Sequence, residues 1–176
     1  MKIAHAVHFT FDLELPPAEA VEFVRDVRRS LAKADFIRDM QVFSASEQTR
    51  VRAVLPVNAA FFGQQELTFE SVLSHAARGA VLSPVALTEP KLGWAEVAGR
   101  AEVTGLETPG RPNGSRVVYD FDVTIHLNLP EPEKWGGRAL LKMIHFTAQR
   151  VLENIAEDFP RAVQAAAAET EAEAHA

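Results

Sequence analysis

Two long stretches of alternating hydrophobicity constrain this chain more than any other feature. In Ile3–Leu15 the odd-numbered residues are apolar except for His5, while the even-numbered residues are alanine or polar. In Ser115–Leu129 the odd-numbered residues from Val117 onward are again apolar, with Tyr119 among them. A period of two indicates a β-strand that buries one face and exposes the other. The two stretches therefore predict long strands of a curved sheet with one buried face.

A long amphipathic helix is predicted at the end of the chain, after a break at Pro130–Glu133. Pro160 is expected to kink or end this helix. Residues 166–176 are almost entirely alanine and glutamate, and we expect them to form a solvated helical extension or a frayed tail after a single domain over residues 1–165. The apolar stripe of the helix contains Leu141, Ile144, Ala148, Val151 or Leu152, Ile155 and Phe159.

Between these ends the sequence predicts one helix over Ala18–Ala34 and then only strands. Pro84 places Ala80–Leu87 at a sheet edge or a bulge, and Thr108–Gly114 is a turn signal that joins the last two strands as a hairpin. The order strand, helix, six strands, helix predicts an α+β fold built from antiparallel meanders. The predicted middle strands are Phe36–Ser44, Thr49–Val57, Gln65–Leu73, Ala80–Leu87 and Trp94–Thr104.

Composition excludes several classes of function. A formal net charge of −6 argues against broad nucleic-acid binding. The absence of cysteine excludes disulfides, thiolate metal sites and a cysteine nucleophile. His5 and His8 have a spacing seen in metal sites, but on a strand they point to opposite faces, so no metal or cofactor is predicted. With no signal peptide and no apolar run that could span a bilayer, we expect a cytoplasmic protein.

The predicted order of elements resembles the helix-grip superfamily from Ile3 to about Ala165. This superfamily includes START lipid-transfer domains, Bet v 1 plant proteins, polyketide cyclases, carbon monoxide dehydrogenase G-like proteins and coenzyme Q-binding proteins. Trp135–Leu141 is similar to the start of the last helix in the last two groups. The superfamily usually has two short helices where Ala18–Ala34 predicts one, and a break near Ser30 would restore the pair.

The resemblance implies a curved antiparallel sheet of about seven strands wrapped around the C-terminal helix. It also implies a hydrophobic pocket between the two, which in other members holds sterols, lipids, polyketides or isoprenoid quinones. Only a minority of members are enzymes. The first hypothesis is therefore a non-enzymatic binding or carrier protein for a lipid, isoprenoid or quinone-like molecule, with no cofactor.

The pocket hypothesis selects candidate ligand-binding residues on the inward faces. His5 and Tyr119 are polar residues on otherwise apolar faces, and a ligand oxygen is one partner that their side chains could bind. A satisfied core histidine, a tyrosine whose hydroxyl reaches the rim, and plain core roles for the helix residues are the alternatives left open. The full predicted set is His5, Val7, Phe9, Tyr119, Phe121, Val123, Met143, Phe146 and Arg150.

Adjacent aromatic residues in a connecting segment add one more candidate feature. Phe61 and Phe62 follow the predicted strand that ends near Pro56, which suggests either a lid over the pocket or a tip that touches membranes transiently. The expected partner is thus an apolar small molecule, with no nucleic acid and with the chain either monomeric or homodimeric.

Two other functions are left open by the sequence. One is an interaction or homodimeric structural protein with a filled core that pairs through an edge strand such as Ala80–Leu87. The other, less favoured, is a cyclase or hydrolase that uses His5 or the pair Asp120 and Asp122 as the base. These two carboxylates lie on the face predicted to be exposed to solvent, where a base lacks the desolvation that raises its pKa.

Overall fold

Seven antiparallel strands and one long helix account for most of the chain in a computed structural model, which describes residues 1–45, 48–59, 63–87, 93–108, 111–128 and 138–174. The strand order in the sheet is β1-β7-β6-β5-β4-β3-β2. This α+β arrangement confirms the predicted helix-grip fold. The elements are β1 Lys2–Leu13, α1 Pro17–Arg25, α2 Val27–Ser30, β2 Arg38–Ala45, β3 Gln48–Ala59, β4 Gly63–Ala76, β5 Gly79–Pro84, β6 Gly93–Thr108, β7 Arg111–Leu127 and α3 Arg138–Ala174.

The first and last strands pair over all of β1 and present their odd-numbered residues to α3. Val7 lies opposite Phe121 and Phe9 lies opposite Tyr119 in this antiparallel register. The odd-numbered side chains of β1, and those of β7 from Ser115 onward, are buried or half-buried, as the alternation predicts. Helix α3 packs on β1 and also reaches β3, so the inward face of the sheet and the helix enclose the core between them.

Small residues on β6 make room for large side chains from β7. Gly99 lies opposite Phe121, and a Cβ atom at Gly99 would come within 2.5 Å of Cδ1 of that phenylalanine. The ring of Phe121 therefore lies over the backbone of β6, where any larger residue at position 99 would collide with it. This close approach holds Phe121 in the space between the sheet and α3.

The predicted single helix over Ala18–Ala34 is wrong. Two short helices occupy this region, and they are separated at Asp26 rather than near Ser30. Asp26 leaves the helical conformation (φ −86°, ψ 89°), and its carboxylate accepts a hydrogen bond from the backbone N–H of Arg29. An aspartate that bonds this way caps the N-terminus of the second helix, which explains the position of the break.

The predicted edge position of Ala80–Leu87 is also wrong. Strand β5 ends at Pro84 and pairs with β4 on one side and β6 on the other, so it lies inside the sheet. Its pairing with β6 covers only Gly79–Leu82. Pro84 follows that segment and therefore does not need to donate a hydrogen bond to β6. The edge strands are β1 and β2.

Helix α3 continues past Pro160 to Ala174, so the prediction that this proline could end the helix is wrong. Ala166 and Ala167 are buried in the same cluster as Phe23 of α1. Ion pairs between Arg29 and Glu173 (2.8 Å) and between Lys33 and Glu169 (3.0 Å) lie alongside this contact. The alanine-rich end of the chain thus packs against the short helices on one face and is solvated on the other.

Candidate functional site

Among the described residues, six aromatic rings meet between the sheet and α3, and we call Phe9, Phe11, Phe36, Tyr119, Phe121 and Phe159 the aromatic cluster. The rings of Phe9 and Tyr119 are stacked, with 5.0 Å between centroids. Phe159 of α3 meets both of them and Phe121 edge to face, at 5.4 Å, 5.9 Å and 4.9 Å. Such arrangements of aromatic pairs are favourable beyond the area they bury. The cluster is therefore a well-packed apolar region under the second half of the helix.

One polar atom lies inside this cluster without a partner. The Tyr119 side chain belongs to a residue that is only 4% exposed, and its hydroxyl has no hydrogen bond with any residue in the described part of the chain. Burial raises the pKa of the Tyr119 hydroxyl above its ordinary value, because the surroundings disfavour the phenolate. A buried polar group without a partner costs about 1–3 kcal/mol. A hydrogen bond from the Tyr119 hydroxyl to a ligand oxygen would therefore remove this free-energy cost.

A groove of about 390 Å³ runs along α3 on the side of β3, and we call it the α3 groove. Its floor includes Phe36, which also contacts Phe159 of the aromatic cluster at 6.2 Å between ring centroids. The groove is thus separated from the ring of Tyr119 by two phenylalanine rings. Its lining residues are Phe36, Pro56, Phe146, Thr147, Arg150, Val151, Asn154, Ile155 and Asp158.

The predicted site residues fall into two places. Phe9, Tyr119 and Phe121 lie in the aromatic cluster, and Val7 is buried beside them. Val123 is buried in the neighbouring part of the core with Leu152 and Ile155 of α3. His5 is half-buried on the inward face of β1 and forms no hydrogen bond within the described residues.

The predicted helix residues lie apart from the strand residues. Phe146 and Arg150 line the α3 groove, whereas Met143 does not. Phe146 is 67% exposed and Met143 is 43% exposed. The first turns of α3 thus present apolar side chains outward as well as toward the core. The predicted lid residues Phe61 and Phe62 lie outside the described residues.

Phe36 and Phe159 lie between the α3 groove and the ring of Tyr119, and neither is among the predicted site residues. The sequence indicates Phe159 only as part of the apolar stripe of the last helix, and it places Phe36 on a strand. Strand β2 begins at Arg38, so Phe36 belongs to the connection after α2 and its ring reaches α3. No local pattern in the sequence distinguishes these two phenylalanines, because their contact depends on how the sheet closes over the helix.

The carboxylates Asp120 and Asp122, which the sequence offers as a candidate catalytic base, face away from α3. Asp120 bonds to Nδ1 of His8 at 2.5 Å and to Nε of Arg100 at 3.2 Å, on the outer face of the sheet. The hydrogen bonds from His8 and from Arg100 lower the pKa of the Asp120 carboxyl, which is opposite to what a general base at neutral pH requires. Asp122 is exposed on the same face.

His126 also lies on the outer face, where its ring stacks on Trp94 at 4.5 Å between centroids. Its Nε2 atom is 2.9 Å from Oε2 of Glu96, but the two groups are not aligned as a hydrogen bond. The contact is therefore an ion pair only when the histidine is protonated. Glu96 and Arg100 thus lie on the same outer face of the sheet as Asp120.

A larger cleft of about 580 Å³ lies beside α1, between the turn after β4 and the second half of β6. Its charged residues already have partners. Arg25 donates to the carbonyl oxygens of Ala76 (2.7 Å) and Gly79 (3.2 Å), and Arg78 pairs with Glu102 at 2.5 Å. The bonds of Arg25 tie α1 to the sheet and the pair of Arg78 with Glu102 ties the turn to β6, so these charged side chains serve structural contacts.

The described residues contain neither a metal cluster nor a membrane-spanning helix. No group of three or more His, Asp or Glu side chains in that part of the chain is placed to hold a metal ion. None of the described helices is long and apolar enough to cross a membrane.

Comparison with solved structures shows that the fold is widespread. The Zhui aromatase/cyclase from a Streptomyces species superposes with a TM-score of 0.62 at 15% identity, over 96% of this chain and 94% of that one. A START superfamily protein from Mycobacterium smegmatis gives a TM-score of 0.50 at 16% identity, over 91% and 97% of the two chains. The di-domain aromatase/cyclase StfQ gives 0.54 at 14% identity, over 96% of this chain and 52% of that one.

At these identities the structural likeness concerns the fold alone. No curated protein matches the sequence. A family model described as "Protein of unknown function (DUF3809)" matches residues 8–157, which include every strand after the first half of β1 and the helix residues that line the α3 groove up to Ile155. The chain therefore belongs to the DUF3809 family.

Proposed function

We propose that this protein is a non-enzymatic carrier that binds an apolar small molecule bearing a hydrogen-bond acceptor, of the lipid, isoprenoid or quinone-like class. The ligand would lie between the sheet and α3, and its oxygen would accept a hydrogen bond from the hydroxyl of Tyr119. The observation that carries the proposal is the buried Tyr119 hydroxyl, which has no partner among the described residues. The proposed walls are Val7, Phe9, Phe121 and Val123, with His5 at one end and Phe146 and Arg150 at the mouth.

The polarity of the cluster supports an apolar ligand with one polar group. Around Tyr119 the neighbours are the rings of Phe9, Phe11, Phe121 and Phe159. Apolar walls stabilise a bound molecule by roughly 25 cal/mol per Å² of apolar surface removed from water, before the costs of association. A single hydroxyl in such walls fixes the orientation of a ligand more than it raises its affinity.

The position of the α3 groove supports a route for the ligand. Phe36 is the member of the aromatic cluster that lines the groove, and its side chain is only half-buried. Rotation of the Phe36 ring away from Phe159, with a matching movement of the Phe159 ring, would join the groove to the space beside Tyr119. The groove has a volume at the lower end of the range for small-molecule sites, so a modest rearrangement would suffice.

A second candidate is an interaction protein with a filled core. The close packing of the aromatic cluster favours it, because these rings occupy space that an open cavity would need. Any pairing between copies through a strand would use β1 or β2, since β5 lies inside the sheet. This candidate predicts that the protein takes up no apolar compound.

The two candidates are separated by measuring uptake of menadione, an apolar quinone with two carbonyl oxygens, by native mass spectrometry. The carrier proposal predicts a complex with one menadione, and a Kd that is about two- to thirteenfold higher for Tyr119→Phe, since a neutral hydrogen bond contributes about 0.5–1.5 kcal/mol. Methylnaphthalene, which lacks the oxygens, should bind the unmodified protein and Tyr119→Phe with equal Kd. Failure of both compounds to bind, together with no co-purified apolar compound, would support the filled-core candidate.

A further inference from the structure

The first half of α3 differs in charge from the rest of the chain. Between Arg138 and Leu152 there is no aspartate or glutamate, although the whole chain carries a net charge of −6. The same stretch contains Arg138, Lys142 and Arg150. Acidic residues begin again at Glu153 and are frequent from there to the end of the helix. Positive charge is therefore concentrated at one end of α3.

These cations have few partners within the described part of the chain. Arg138 and Lys142 form no ion pair or hydrogen bond with any residue in the ranges that the structure describes. Arg150 reaches only Glu153 among those residues, at 3.7 Å, and its side chain is 69% exposed. In the second half of the helix, by contrast, Arg161 pairs with Asp158 at 3.3 Å.

Two large apolar side chains are exposed among these cations. Met143 and Phe146 are three residues apart and share a face of the helix, where they are 43% and 67% exposed. Lys142 and Arg150 lie four residues on either side of Phe146, so the charges flank the aromatic ring on the same face. We call Lys142, Met143, Phe146 and Arg150 the basic apolar face, with Arg138 at its N-terminal end.

From this arrangement we infer that the basic apolar face docks onto a lipid bilayer that carries anionic headgroups. Exposed phenylalanine and methionine on a helix that is cationic on the same side are suited to the interface between headgroups and acyl chains. Lysine and arginine near such a surface each add attraction for anionic lipids. Docking on an acidic protein is the competing explanation, and it predicts no binding to vesicles.

The inference goes beyond the proposed carrier function and does not depend on it, because it rests on surface charge and exposure alone. If the carrier proposal and this inference both hold, ligand entry and membrane docking involve the same part of α3. Phe146 and Arg150 also line the α3 groove, so docking would turn the mouth of the groove toward the bilayer. An apolar ligand could then pass between membrane and protein without crossing open water.

Vesicle sedimentation tests the inference with ligand-free protein. Two vesicle types are used, one of phosphatidylcholine alone and one in which part of the lipid is replaced by phosphatidylglycerol. We expect binding to the anionic vesicles, little binding to the neutral ones, and loss of binding as added salt shortens the screening length. Equal binding to both vesicle types, or no binding to either, would overturn the inference.

Matched substitutions locate the surface. Lys142→Glu should weaken binding to anionic vesicles more than tenfold, because it removes one attraction and adds a repulsion. Phe146→Ser should weaken it about tenfold through loss of apolar burial. The controls are Arg161→Glu, an equal charge change later on α3, and Phe43→Ser, since Phe43 is 52% exposed on β2. All four sites are exposed, and circular dichroism checks the fold of each variant.

The variants also keep the two proposals apart. Lys142 is not among the proposed ligand-binding residues, so Lys142→Glu should lose vesicle binding and still take up menadione in solution. If the control substitutions weaken vesicle binding as much as Lys142→Glu and Phe146→Ser do, the assignment of the basic apolar face is wrong. A failure of menadione uptake with vesicle binding intact would instead contradict only the carrier proposal.

Discussion

The ring of Phe36 meets the ring of Phe159 edge to face, with 6.2 Å between centroids and 61° between the ring planes. Phe159 in turn contacts Tyr119 at 5.9 Å. These two contacts connect the solvent-accessible α3 groove to the buried hydroxyl, which makes Phe36 the residue whose movement the carrier proposal requires.

Truncation at this position should therefore speed entry of a ligand. We expect Phe36→Ala to increase the rate of menadione uptake about tenfold, which corresponds to roughly 1.4 kcal/mol removed from the barrier. Stopped-flow quenching of tryptophan fluorescence measures the rate. Phe43→Ala, at an exposed phenylalanine on β2, is the control and should leave the rate unchanged. An uptake rate for Phe36→Ala equal to that of the unmodified protein would contradict the proposed route.

Removal of the Tyr119 hydroxyl should stabilise the ligand-free protein. Tyr119→Phe keeps the ring contacts and eliminates a buried polar group without a partner among the described residues, so the free energy of unfolding should rise by about 1 kcal/mol. Urea denaturation measures it. The matched control is Ser71→Ala, which removes a buried hydroxyl that donates to the carbonyl oxygen of Val97 at 2.8 Å. That variant should lose about 1 kcal/mol, and a similar loss in Tyr119→Phe would mean that its hydroxyl has a partner.

Alkaline titration should show the same burial optically. Tyr119 is the only tyrosine in the chain, so the absorbance of tyrosinate reports on this residue alone. Burial raises the pKa of Tyr119 in the folded state, whereas the unfolded chain titrates near pH 10. Unfolding therefore releases a proton above about pH 10, and the free energy of unfolding contributed by this group falls as the pH rises.

In a pH-jump experiment the tyrosinate signal should appear with the rate of unfolding rather than within the mixing time. Circular dichroism recorded in parallel gives that rate. A tyrosine that ionises immediately at about pH 10 while the fold remains intact would show that solvent reaches the hydroxyl.

A glycine on β6 should prove essential for the position of Phe121. Gly99→Ala places a Cβ atom 2.5 Å from Cδ1 of Phe121 and 2.6 Å from the carbonyl oxygen of Asp120, so either the ring or the strand must move. We expect a loss of about 1–3 kcal/mol in the free energy of unfolding, as for other overpacked sites. Gly114→Ala is the control, because its nearest neighbours would lie at 3.5 Å, an ordinary contact. Equal stability of the two variants would contradict the proposed close packing.

The faces of the long strands could be predicted from the sequence, because alternation depends only on local geometry. The alternation predicts that Tyr119 and Phe9 point inward, and both side chains are buried or half-buried on the inward face. The same reasoning placed Asp120 and His8 outward. Local alternation is therefore sufficient to predict the face of a strand to which a single side chain points.

Other features depend on contacts between distant segments and could not be predicted in this way. Pro84 predicts an edge strand or a bulge, but the pairing of β5 with β6 stops at Leu82, so the missing N–H of the proline removes no hydrogen bond to β6. The helix break at Asp26 depends on which of several polar residues caps the second helix. The contact of Phe36 with Phe159 requires the complete sheet, so the connection between groove and cluster exists only in the folded chain.

The carrier proposal requires that the Tyr119 hydroxyl donate a hydrogen bond to a ligand oxygen, and carbon-13 NMR of protein labelled at Cζ of tyrosine detects this contact. Because the chain has a single tyrosine, one resonance is expected. It should shift when menadione is added, since a hydrogen bond from the hydroxyl changes the electron density at Cζ, and it should move much less with methylnaphthalene. A resonance that stays unchanged, or moves equally with both compounds while both bind, would contradict the proposal.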